Sequence, residues 1–138
     1  MDNMGLDTTD VPLKMYAQAE LLTFQNKYDE AFKALDNILK TYPDHTLLDD
    51  ILYAKAKIYV KQNDFASAIP LYEKIINKHA EEIRCDNSIY ELAKIYEEEL
   101  DEPQKASELY EKLFVDFSNS TLAIQARKRY RLLRGDEI

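Results

Sequence analysis

The chain has 138 residues, 46% hydrophobic and 32% charged, with a formal net charge of −8. That is about one domain of foldable rather than disordered chain, and the acidic balance disfavours general nucleic-acid binding, which needs cations to displace phosphate counterions. Its two glycines are Gly5 and Gly135, so residues 6–134 hold no glycine-rich phosphate cradle, nucleophile elbow or dinucleotide fingerprint. The single cysteine, Cys85, allows no internal disulfide. No apolar run approaches the roughly 20 residues of a membrane helix, and the acidic residues 1–10 lack the apolar core of a secretory signal.

Residues 1–11 read as a flexible lead-in. Thr9 or Asp10 caps a first helix with Pro12 in its opening turn, where a missing amide is tolerated. That helix runs to about Gln25 with Met15, Ala19 and Leu22 on one face. After a turn at Asn26 and Lys27, the second carries Tyr28, Ala31, Leu35, Ile38 and Leu39, and Pro43 ends it near Tyr42. Thr46 and Asp49 have capping-box spacing and open a third helix with Leu52, Ala56 and Tyr59 inward. Residues 61–64 turn the chain into a fourth, with Phe65, Ala68, Ile69 and Tyr72 on its stripe and Pro70 inside it, where one backbone hydrogen bond is lost and a bend is expected. The fifth spans about Glu82–Glu99, with Ile89, Ala93 and Tyr96. Asp101, Pro103 and Gln104 restart the chain as the sixth, with Ala106, Tyr110, Leu113 and Phe114. Ser118, Asn119, Ser120 and Thr121 cap a seventh helix that ends near Arg134, and residues 135–138 form a tail.

These helices repeat. Ala19, Ala56 and Ala93 stand 37 residues apart, as do Tyr16, Tyr53 and Tyr90. The second helices carry Ala31, Ala68 and Ala106, at spacings of 12, 12 and 13 from the first-helix alanines, which places one extra residue in the third turn. Small residues recur because helices packed about 8–10 Å apart leave no room for a large side chain at the closest point. The pattern resembles the tetratricopeptide repeat, a helix–turn–helix unit with a bulky residue, a small one four later, an aromatic three further on, then Ala-x-x-x-aromatic and a proline. The matching residues are Met15, Ala19, Leu22, Ala31, Leu35 and Pro43; Leu52, Ala56, Tyr59, Ala68 and Tyr72; and Ile89, Ala93, Tyr96, Ala106 and Tyr110. Gln18 and Lys55 replace a usual leucine, and Ala80 and Ser118 replace the closing proline.

The resemblance implies an all-α right-handed solenoid over residues 12–134, with helix pairs at about 12–45, 46–81 and 82–120 and a capping helix at 121–134. The long repeat is similar to that of bacterial envelope proteins, which points to the periplasm or envelope. In such a solenoid the first helices line the concave face, so Tyr16, Tyr53 and Tyr90 form a ladder. Glu20, Lys57 and Lys94 follow one turn on, and Phe24, Lys61 and Glu98 a turn further. Tyrosines flanked by charge suit an extended segment or helix of another protein. The alternative is that each ring packs against the next repeat. The Lys and Asn arrangement with which some members grip chaperone tails is missing.

The last helix holds Arg127, Lys128, Arg129, Arg131 and Arg134, against 13 basic and 24 acidic residues, net −11, over residues 1–120. Either it contacts nucleic acid or lipid, or it caps the last repeat through Leu122, Ala126, Tyr130 and Leu133 with its charged face solvated or near Glu97, Glu98 and Glu99. Arg134-Gly135-Asp136 matches an adhesion tripeptide, but Gly135 more simply stops the helix. His45 and His79 lack partners at ligand spacing, and Cys85 lacks a nearby histidine, so no metal, cofactor or catalytic site is expected. The reading is a non-catalytic protein-interaction module. A terminal structural segment of a longer array is the alternative, with self-association through the N-terminal repeat and its Leu13 and Leu21. An enzyme accessory or a nucleic-acid adaptor using the basic helix is the reading from a different class.

Overall fold

The computed structural model describes residues 10–43, 48–78 and 83–135. They form α1 (Asp10–Phe24), α2 (Tyr28–Thr41), α3 (Leu48–Lys61), α4 (Phe65–Lys78), α5 (Ile83–Lys94), α6 (Pro103–Asp116) and α7 (Ala123–Arg134), with α5 continuing as a π-helical turn over Ile95–Glu99. The described residues contain no strand, and the fold is an all-α repeat of helix pairs as the periodicity implies. Thr9, His45, Thr46, His79, Ala80, Glu82 and Asp136, each given a role above, lie outside the described residues. Two compact units divide the chain, Met1–Asp64 and Phe65–Ile138.

The first and second helices of a repeat are joined by one turn geometry. Asn26 and Asn63 adopt positive φ, 63° and 61°. Among residues with a Cβ, Asn and Asp tolerate that region best. The Asn26 amide donates to the Thr23 carbonyl and the Lys27 amide to the Leu22 carbonyl, at 2.9 and 2.8 Å. Asn63 donates to Val60 and Asp64 to Tyr59 at the same distances. This pair of bonds satisfies terminal carbonyls of the first helix where that helix ends.

The third repeat keeps the motif and stores its extra residue elsewhere. Asp101 takes the positive φ, 53°, and the Glu102 amide donates to the Tyr96 carbonyl at 2.8 Å, six residues back instead of five. The Leu100 amide reaches the Ile95 carbonyl at 3.0 Å, the i→i+5 bond of a π turn. The additional residue therefore sits in the end of the first helix, not in the connecting turn as the alanine spacing alone suggests.

In the first unit α1 and α2 pack along Ala19, Ala31, Leu35 and Ile38, and α3 adds Ile51 and Ile58 to the same core. Lys55 of α3 pairs with Asp36 of α2 at 2.5 Å. Asp36 is mostly exposed, so this pair contributes at most about 1 kcal/mol. In the second unit α4, α5, α6 and α7 pack each against the next. Its core holds Tyr72, Ile75, Ile89, Leu92, Ala93, Ala106, Tyr110, Leu113 and Ala126. Pro103 opens α6, where it has no amide to leave unpaired. α4 continues through Pro70. Tyr42 ends α2 in a non-helical conformation before Pro43, and Gly135 ends α7 at φ 92°, both as the sequence leads one to expect.

Ser88 of α5 is fully buried, and its hydroxyl has no hydrogen-bond partner among the described residues. An unpaired buried hydroxyl is a net cost, so Ser88→Ala should raise stability by about 1 kcal/mol in urea unfolding. A less stable variant would show that the hydroxyl is satisfied in solution.

Candidate functional site

The nine residues expected to contact a partner fall into two sets. Tyr16, Glu20, Phe24, Tyr53, Lys57 and Lys61 belong to the first unit, and Tyr90, Lys94 and Glu98 to the second. Tyr16 of α1 is half-buried against the first core, and its hydroxyl donates to the Asp50 carbonyl of α3 at 3.3 Å. It therefore ties neighbouring first helices together. Glu20, Lys61 and Glu98 are exposed, and Phe24 is 85% exposed.

Tyr53 and Tyr90 show a shared arrangement. Each ring is half-buried and carries, one turn later on its own helix, a lysine over its face. Lys57 Nζ lies 5.8 Å from the Tyr53 centroid and Lys94 Nζ 5.6 Å from that of Tyr90. An ammonium over an aromatic face contributes about 0.5–1 kcal/mol at an exposed site, enough to bias the lysine toward one position. Tyr90 also meets Tyr110 edge to face, centroids 5.9 Å apart. The first repeat has Glu20 where Lys57 and Lys94 stand, so a carboxylate replaces the cation there.

A second constellation was only partly foreseen. Glu97, in the π turn, has a side chain 10% exposed and forms a two-point ion pair with Arg129 of α7: Nη2 to Oε2, and Nε to Oε1 at 3.2 Å. The Tyr110 hydroxyl of α6 donates to the same Oε1 at 2.8 Å. One carboxylate thus joins three successive elements, with the directional geometry that a guanidinium provides and an ammonium does not. The sequence signal was the run Glu97–Glu99 opposite five cations. Which acid pairs with which base depends on the π turn, which no residue pattern announces.

Two of the remaining cations of α7, Arg127 and Arg134, sit on aromatic faces. Arg127 lies 5.3 Å from the Phe114 centroid, Arg134 5.2 Å from that of Tyr130, and Phe114 and Tyr130 meet edge to face at 5.3 Å. Ser120 fixes the start of the helix: its Oγ accepts the Leu122 amide at 3.0 Å and donates to Asp86 Oδ2 of α5 at 2.6 Å. Among the described residues no three His, Cys, Asp or Glu side chains are placed to hold a metal ion, and no helix is long and apolar enough to cross a membrane.

The tetratricopeptide repeat family model matches residues 22–87. The match covers just under half of the chain and, together with the helix pairs and their recurring turn, supports a tetratricopeptide repeat protein. Repeats of this class generally mediate protein–protein interaction. A comparison with curated proteins finds no match.

The buried phenol of Tyr110 gives the second unit a pH limit. Burial, and then the neighbouring Tyr90, Glu98 and Glu91, raise its pKa well above the ordinary tyrosine value, and burial raises that of Tyr96 in the same direction. A folded-state pKa above the unfolded value of about 10 contributes stability in full below that pH, and the contribution is lost as pH rises above it. Stability should therefore fall on the alkaline side of pH ~10. Tyr110→Phe should flatten that limb, read by urea midpoints across the range. An unchanged limb would remove Tyr110 as its cause.

Proposed function

We propose that the chain is a non-catalytic protein-interaction module and that its partner contacts the first-helix faces bearing Tyr53 with Lys57 and Tyr90 with Lys94. The observation that carries this is the recurrence, 37 residues apart, of a half-buried tyrosine with a lysine over its ring. A rigid aromatic with a cation held beside it offers contact area and charge at low entropic cost, the character of residues that dominate interfaces. Lys61 and Glu98 extend these faces by a turn. A non-catalytic role is further supported by the lack of glycine over residues 6–134.

A second reading is a structural segment that packs through α1. It is favoured by Leu13, Leu21 and Phe24, which are 45%, 47% and 85% exposed on that helix. Apolar side chains collected on one helix suit coverage by another.

A photo-crosslinking amino acid placed at Tyr53 or Tyr90 in the native host tests the proposal. It should join the chain to the same partner protein from both positions, and a probe at exposed Val115 should not. Capture of that partner from Leu21 and Phe24, and not from Tyr53 or Tyr90, would favour the structural reading.

A further inference from the structure

The outward stripe of α7 is not what capping requires. A cap needs a polar outer face, which any mixture of charged and amide side chains supplies. Here Ile124, Arg127, Lys128 and Arg131 recur at helical spacing on one face. All four are exposed, Ile124 by 68%. They line a groove of about 310 Å³ between α6 and α7 with Phe114 and Ser118. An adjoining hollow of about 300 Å³ shares Phe114, Arg127 and Arg131 and adds Tyr130 and Arg134. Arg129, on another side of the helix, is the cation spent on Glu97. Thus α7 separates an internal ion pair from an external basic stripe.

We propose that this groove docks an acidic segment of another protein, one with spaced carboxylates around a single apolar side chain. The inference rests on the reading of the chain as an interaction module, but the surface is separate from the Tyr53 and Tyr90 faces. Charge carries the argument. Cations concentrate here in a chain whose residues 1–120 hold 13 basic and 24 acidic side chains, so the stripe is where an acidic partner finds complementary potential. The Phe114 ring beneath Arg127 and the Tyr130 ring beneath Arg134 hold those guanidinium planes, which reduces the ordering cost of pairing them with carboxylates. Ile124 supplies an apolar contact amid the cations, and Phe114 lies in the groove wall. Glu111 stands in the wall of the adjoining hollow. A continuous polyphosphate would run against it, whereas a peptide can place a neutral residue there. Nucleic-acid affinity grows with the number of phosphates neutralised, and this short stripe offers few cations for a long backbone.

The test uses the full chain and a short fluorescent peptide of Asp and Glu around one Leu, titrated by anisotropy. The peptide should bind and weaken with added salt. The variant combining Arg127→Gln, Lys128→Gln and Arg131→Gln should bind it about tenfold or more weakly, the loss expected from three partly screened charge pairs. The single variant Lys128→Glu, at an exposed position, should weaken binding without altering the thermal transition, so a folding failure of the triple variant does not decide the matter. Replacing the peptide Leu by Ser should weaken binding through Ile124. Equal binding by wild type and Lys128→Glu would overturn the proposal. So would tighter binding of a single-stranded oligonucleotide or of phosphatidylserine vesicles than of the peptide. Concentration-dependent mass lost in the triple variant would make the occupant a second copy and overturn it as well. Crosslinking from Tyr53 and Tyr90 is read independently, so failure of the peptide experiment leaves that reading standing, and the converse holds.

Discussion

The structure depends on the close approach of paired helices at small residues. Helices of 12 to 15 residues are marginal alone in water, so each persists because one face is buried against neighbours. Ala19 with Ala31 in the first unit, and Ala93 with Ala106 in the second, are at most 1% exposed. At a close crossing the alanine cannot be moved along its helix without driving a larger side chain into the partner backbone. The crossing therefore fixes the register of both helices, and the turn between them must end where the second helix begins. The shared geometry at Asn26, Asn63 and Asp101 meets that demand.

An extra residue between two fixed crossings has few places to go. In the third repeat it enters the helix and turns Ile95–Glu99 into a π turn, while the positive-φ residue and the bond to the Tyr96 carbonyl are kept. The consequence is chemical as well as geometric. Glu97 lies within that turn, and its carboxylate holds the Tyr110 hydroxyl and the Arg129 guanidinium. At the corresponding register the other repeats carry Thr23, whose hydroxyl returns to its own helix at the Ala19 carbonyl, and Val60. Neither can make such a tie. The irregular repeat is thus the one that fastens the last helix to its neighbours.

Much of the fold was legible because burial writes a period into the sequence. The alanine and tyrosine registers located the helix pairs. Pro43, Pro103 and Gly135 marked boundaries through the conformations they allow. The π turn was not legible in kind. The spacing of 13 in place of 12 revealed an extra residue, but residue identity does not say whether a turn or a helix absorbs it, since both are permitted by Glu97, Glu98 and Glu99. The candidate site was legible in part. Tyr53 with Lys57 and Tyr90 with Lys94 came from one-turn spacing. The bond from the Tyr16 hydroxyl to the Asp50 carbonyl was not legible, because side-chain pattern does not encode a backbone acceptor. For the basic helix, opposite charge indicated proximity to the acidic run, while the selection of Arg129 depends on which side of α7 faces Glu97.

The two surfaces proposed for partner contact differ in character. The Tyr–Lys face occurs in the second and third repeats, and the basic stripe lies on the last helix. Both depend on the helix register, so the claim beneath them is that the alanine crossings are fixed and the π turn is the reservoir for the additional residue. Deleting Glu99 tests this directly when compared with deleting Ser107, which lies between Ala106 and Tyr110 in α6. The account predicts that the chain without Glu99 unfolds cooperatively with a Tm close to the parent's, because the third repeat then has the spacing of the first two, while the chain without Ser107 loses its cooperative transition. Loss of cooperative unfolding in both deletions, or its retention in both, would contradict it.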